Sequence, residues 1–216
     1  MSAAAFEWTA LAVKMLLWFV LLLHAAPVMV WVERRGAAMI QDRPGPNRLG
    51  PLGLFQAIAD AVKFMFKEDI TPAAADRPLF LMAPVLALLP AFTTFMVIPW
   101  GPDVVFRGMR IPMIVADVDT GVLLFLSIAS LGVYSLVMAG YASNNKFSLL
   151  GSIRAAAQLI SYELAMTLAV VAVVIPVGSF RLTDIVEYQR LDGWNILPQV
   201  IGFLVFLVAS FAETNR

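Results

Sequence analysis

Residues Trp8–Val32 read WTALAVKMLLWFVLLLHAAPVMVWV, and Lys14 is the only formally charged side chain among them. About 20 mostly apolar residues, rising 1.5 Å each, carry a helix across the ~30 Å hydrocarbon core of a bilayer. The stretch is therefore long enough to span. It is also too long for the apolar core of a secretory signal. Glu7 is the only charge before Lys14, and no small-residue cleavage site follows, so the run is expected to stay as an anchor.

Working outward, four further apolar runs fall at roughly 79–100, 120–142, 155–177 and 196–212. The first three qualify as spans and the last is shorter. Outer-membrane barrel strands would appear as ~10-residue alternating segments, which are absent. The fold class expected is all-α: a polytopic helical membrane protein with about five transmembrane helices. Residues 1–216 form a single transmembrane domain on this reading. The chain is 61% hydrophobic and 14% charged, well to the apolar side of soluble domains. Its formal net charge is zero, which gives no bulk field for nucleic acid. With no cysteine and one histidine, the chain has no ligand set for an iron–sulfur cluster or a bis-histidine haem, and no metal site is expected.

The connections are unequal in charge. Segments 33–78 and 143–154 together with Arg216 carry ten Lys or Arg, whereas 101–119 and 178–195 carry four. The excess of cations marks the cytoplasmic side. It puts the N-terminus outside and the 33–78 loop inside, in a bacterial inner membrane or an equivalent energy-transducing membrane. No internal repeat of the transporter kind is visible.

The 33–78 loop has two parts. IQDRPGPNRLGPLG (40–53) holds three prolines, three glycines and two arginines, which describes a rigid elbow. LFQAIADAVKFMFKED (54–69) then places Phe55, Ile58, Val62, Met65 and Phe66 at helical spacing, with Gln56, Asp60, Lys63 and Lys67 on another face. Such a helix lies in the membrane interface. Seven cations and six acids in this loop are compatible with a solvated surface that binds headgroups. Arg34 and Arg35 at the end of the first span, and Arg43 and Arg48 in the proline-clamped turn, would also suit a ligand with a lipid tail and a polar head.

Two acids stand in apolar surroundings. Glu163 lies about eight residues into the fourth run, and Glu213 closes the fifth. Intramembrane acids are expensive, and by default they mark function. The plainer alternatives are a Glu near a span end, and for Glu213 a pairing with Arg216 one turn away. Lys14 can snorkel, and His24 reads as a locally satisfied helix residue.

These motifs resemble those of a known family. ERRGAAMIQDRPGPNRLGPLGLFQAIADAVKFMFKED is similar to the first-loop signature of the membrane-arm heel subunit of NADH:quinone oxidoreductase, respiratory complex I. GYASNNKFSLLGSIRAAAQLISYE resembles the second signature of that family, and FAETNR the start of the third. The resemblance implies a membrane-arm component against which the peripheral arm docks, with partners among the quinone-module subunits and the small membrane-arm subunits. Quinone is then the substrate, with NADH, FMN and iron–sulfur clusters in partner subunits and no cofactor on this chain. Arg34, Arg35, Arg43, Arg48, Asp60 and Lys63 match positions near the quinone chamber. Glu163 and Glu213 match members of a chain of coupling acids. The family usually has eight spans, and an acidic loop follows its third motif. Since this sequence stops at Arg216, the segment alone is not expected to pump protons. A tyrosine, Tyr141, stands where the second signature commonly has tryptophan. The third run holds no carboxylate, so a proton path beside it needs water, Ser127, Ser130, Tyr134 or acids from elsewhere.

The function expected is quinone access, chamber lining and coupling of quinone reduction to proton translocation. One alternative is the equivalent subunit of a membrane-bound hydrogenase or of another donor:quinone oxidoreductase. A more distant alternative is an ion-coupled secondary transporter that uses Glu163.

Overall fold

The apolar runs are helices in the computed structural model, which describes residues 3–106 and 108–213. Among the described residues, four helices are long and apolar enough to cross a membrane, and a shorter apolar one follows near residue 200. The chain divides into two units, residues 1–70 and 71–216.

In the first unit, α1 (Ala3–Ile40) runs for 38 residues, about 57 Å at 1.5 Å per residue. It exceeds the expected 8–32 run because charge ends the apolar stretch without ending the helix. Glu33, Arg34 and Arg35 continue it beyond a bilayer core. The helix stops in a turn at Gln41, where Asp42 takes a φ of 50° and Pro44 follows. A single 3₁₀ turn (Pro51–Gly53) then leads to the amphipathic α2 (Gln56–Met65). Large apolar side chains on α2 such as Ile58, Val62 and Met65 are exposed, as an interfacial helix requires.

In the second unit, α3 (Arg77–Thr94) is capped by the Asp76 carboxylate and enters with Pro78 in its first turn. A 3₁₀ turn (Phe95–Val97) closes it. The following connection holds a short antiparallel ribbon, β1 (Val104–Phe106) and β2 (Met109–Ile111), with Val104 opposite Ile111. Next come α4 (Gly121–Ala142), α5 (Lys146–Val177), α6 (Leu182–Asp192) and α7 (Val200–Glu213).

The α5 helix starts nine residues before its apolar run. Asn145 accepts a hydrogen bond from the Phe147 N–H and caps it there, whereas Gly178, at φ 72°, ends it in the left-handed conformation. Helix α4 packs against α3 and α5, and α5 packs against α7. Gly140 makes the α4–α5 approach possible, since a Cβ there would lie 2.0 Å from Ser152 Oγ. Val122, Val174 and Ile185 form the small buried core where α4, α5 and α6 meet.

Candidate functional site

Two polar assemblies stand out, one in each unit. In the first, the elbow folds back on the last turns of α1. The Trp31 indole N–H donates to the Leu52 carbonyl at 3.0 Å, and Arg35 Nη1 reaches the same oxygen at 3.4 Å. The Arg35 guanidinium also lies over the Trp31 ring, 5.3 Å from its centroid. The Arg43 N–H returns to the Ala38 carbonyl at 3.0 Å, and Ala38 is fully enclosed. Gly53 is irreplaceable here on two counts. Its φ is +74°, and a Cβ would sit 2.3 Å from the Pro46 carbonyl carbon.

The elbow sets α2 beside α1, and Arg34 pairs with Asp60 across the two helices. This hydrogen-bonded guanidinium holds the Asp60 carboxyl below the ordinary carboxylate range, against the opposing effect of partial burial. Arg34, Asp60, Lys63, Phe64 and Lys67 line a cavity of about 630 Å³. Of the six residues expected near a quinone chamber, Arg34, Asp60 and Lys63 are thus brought together. Arg35 serves the elbow backbone, Arg43 donates to the Gln41 side chain at 2.7 Å, and Arg48 is exposed.

In the second unit, Glu163 is the eighteenth of 32 residues in α5, near the middle of a spanning helix. It is half-buried, and its carboxylate accepts a hydrogen bond from the Ser130 hydroxyl of α4. Ser130 Oγ also lies 3.0 Å from the Leu126 carbonyl. One hydroxyl proton serves one acceptor at a time. An ionised Glu163 accepts the hydrogen bond from that hydroxyl. Protonated Glu163 can donate to Ser130 Oγ, while the serine proton turns to Leu126. Ser127 and Tyr134, the other hydroxyls considered, are exposed.

On α7, Ser210 Oγ meets the Met166 sulfur at 3.6 Å, one turn from both acids. The Glu163 and Glu213 carboxyls are near enough to interact electrostatically. Arg216, the alternative partner for Glu213, lies outside the described residues. His24 Nδ1 is 2.7 Å from the Val20 carbonyl of its own helix, the local satisfaction expected of it.

Several polar features escaped sequence reading. Arg181 grips Asp117 with two N–H donors, and Thr183 adds a contact. The pairing holds the Asp117 carboxyl below its ordinary range. Their separation of 64 positions leaves no local signal. Asn195 and Gln199, by contrast, are spaced four apart, a helical spacing readable in the sequence.

Fold and site together define a multi-span helical membrane protein with a hydrogen-bonded acid on a spanning helix and a charged elbow after the first one. The chain belongs to the NADH dehydrogenase family, whose model matches residues 13–216. The H subunit of the NADH-quinone oxidoreductase of Methylococcus capsulatus is 54% identical over 188 residues, covering 87% of this chain and 56% of that protein. An H subunit of the same enzyme from Geobacter sulfurreducens is 48% identical over all 216 residues, or 65% of its own length. One from Cytophaga hutchinsonii is 46% identical over 198 residues, 92% of this chain and 58% of that protein. The chain thus spans roughly three fifths of the length of these relatives.

Proposed function

We propose that the chain works as the quinone-side membrane subunit of a proton-translocating NADH:quinone oxidoreductase, coupling quinone reduction to proton movement through Glu163 and Glu213. The observation that carries the reading is the Ser130–Glu163 hydrogen bond, because its serine has a second acceptor in the Leu126 carbonyl. A carboxyl with a neutral, reversible partner inside a bundle can exchange a proton at little cost in rearrangement. The names of the relatives support the same enzyme.

In this function electrons reach quinone from redox centres in partner subunits, since no cysteine is available here to hold a cluster. Quinone approaches from the bilayer beside α1 and α2, and Arg34, Arg35, Arg43, Arg48, Asp60 and Lys63 border its chamber on the cytoplasmic side. Within that wall Arg34 and Asp60 fix α2 relative to α1. Arg35 and Trp31 hold the elbow by one carbonyl, and Lys63 keeps a positive charge at the cavity rim. Glu163 and Glu213 respond to the charge change on quinone reduction by exchanging protons or partners.

The test is Glu163→Gln in the assembled enzyme, in inverted membrane vesicles. Glutamine keeps the size and the Ser130 contact but holds no exchangeable charge. Loss of proton uptake, with or without loss of NADH:quinone turnover, is expected. An unchanged rate and an unchanged proton-to-electron ratio would remove Glu163 from the mechanism.

A further inference from the structure

A second cavity, of about 450 Å³, lies where α5, α6 and α7 meet. Its walls are mostly apolar, with Val170 and Val173 from α5, Ile185 from α6, and Phe203 and Phe206 from α7, and the Gln189 amide of α6 and the Trp194 indole also border it. Two amides of the turn preceding α7, Asn195 and Gln199, line it as well. Asn195 is 6% exposed, and its Nδ2 has no hydrogen-bond partner among the described residues. Gln199 donates through Nε2 to the Ala172 carbonyl at 2.6 Å. That bond fixes the orientation of the amide, since a flip would set oxygen against oxygen. The Gln199 Oε1 is consequently left buried without a donor among the described residues.

A buried donor and a buried acceptor, both unmet, are unusual in a folded chain. Here they are also neighbours. The Gln199 N–H bonds to the Asn195 carbonyl at 3.1 Å, so the residues are one helical turn apart and their side chains share a face. The smallest group that satisfies both is a hydroxyl, which accepts from Asn195 Nδ2 and donates to Gln199 Oε1. No Lys, Arg, Asp or Glu among the described residues lines the cavity, and a charged head would be buried there without a counter-charge. The volume falls in the range of small-molecule pockets and far exceeds that of one water molecule. The greasy walls call for an apolar body attached to the hydroxyl.

We infer that this cavity is a binding site for an uncharged amphiphile, a neutral lipid of the acylglycerol class, held by its hydroxyl between Asn195 and Gln199 with its chain against α5 and α7. The site shares no residue with the Ser130–Glu163 pair or with the elbow, and it is independent of the quinone reading.

The purified assembled enzyme in phosphatidylcholine nanodiscs can be irradiated with a monoacylglycerol carrying a photoreactive group in its acyl chain. The control probe is the same molecule with both hydroxyls methylated. Peptides containing residues 169–173 and 203–206 should be labelled about tenfold more by the hydroxyl probe, a difference of about 1.4 kcal/mol. Excess unlabelled monoacylglycerol should displace that labelling. Asn195→Leu, which removes the unmet donor at similar size, should abolish the preference. Should that variant fail to assemble, the comparison of the two probes on the unaltered enzyme still decides. Equal labelling by both probes would overturn the proposal in favour of a non-selective greasy groove. Absence of competable labelling would overturn it in favour of water or of a neighbouring protein segment.

Discussion

Replacing Ser130 by alanine removes one oxygen atom and leaves the α4 backbone intact, yet it changes what Glu163 can do. In the structure the serine hydroxyl donates to the Glu163 carboxylate. A hydrogen bond to a charged acceptor contributes about 1.5–3 kcal/mol, and its loss leaves that acceptor less well solvated. Each 1.36 kcal/mol is tenfold in rate. If ionised Glu163 is formed during each coupled turnover, Ser130→Ala should therefore slow proton-coupled quinone reduction by roughly ten- to a hundredfold. Threonine keeps a hydroxyl, and its Oγ can bond the carbonyl one turn back in a helix, so Ser130→Thr should stay close to the unaltered rate. The assay is NADH-driven proton uptake by inverted vesicles, normalised to electron transfer from NADH to an artificial acceptor upstream of quinone. That normalisation removes any defect of assembly. A Ser130→Ala enzyme that pumps at the unaltered rate would refute the role given to the serine and weaken that given to Glu163.

The Arg34–Asp60 pair predicts an acid-sensitive elbow. Because pairing lowers the Asp60 pKa in the folded chain, the stabilisation is complete above the unfolded value of 3.8 and is lost as pH falls through the folded one. The chain has no cysteine, so spin labels placed through Ala37→Cys and Ile58→Cys report on α1 and α2 alone. Their distance distribution should be narrow at pH 6 and broaden only once the pH is well below the ordinary carboxylate value of 3.8, whereas Asp60→Asn should be broad at both. A third substitution, Gly53→Ala, forces a Cβ to within 2.3 Å of the Pro46 carbonyl carbon at a positive φ. The left-handed conformation alone costs about 1–2 kcal/mol, and the same pair of labels should broaden at neutral pH. Unaltered distances would mean that the elbow does not depend on this close approach.

The helices were legible where composition is physics. A 25-residue run such as Trp8–Val32 has few alternatives once a bilayer is its solvent, and the period of α2 is visible in Ile58, Val62 and Met65. Helix ends were less legible, since Arg34 and Lys146 are good helix formers that merely leave the membrane. Helix α6 was missed because LTDIVEYQRLD buries only Ile185 and has no sustained apolar face. Of the site, the carboxylate could be singled out because an acid among leucines and valines is conspicuous. Ser127, Ser130 and Tyr134 all offer hydroxyls in the third apolar run, and only the register between α4 and α5, which brings residues 33 positions apart together, selects Ser130. The Arg34–Asp60 pairing depends likewise on how the elbow turns, which three prolines and three glycines announce without specifying.

The two acids at the centre of these assemblies are held by opposite means, Asp60 by a guanidinium and Glu163 by a hydroxyl. Asp60 faces a guanidinium that stays charged at any physiological pH. Its own charge is thereby fixed, which suits a strut and disqualifies it as a proton carrier near neutral pH. Glu163 faces a hydroxyl, a group able to donate or to accept, with a backbone carbonyl ready for the hydroxyl proton when the acid no longer needs it. Its partner penalises neither protonation state by a fixed opposite charge. On the proposed function, Asp60 keeps the cavity wall in place and Glu163 passes the proton. Exchanging the partners tests this division of labour. An arginine in place of Ser130 would pin Glu163 in its ionised form and should stop proton transfer even if the helices still assemble.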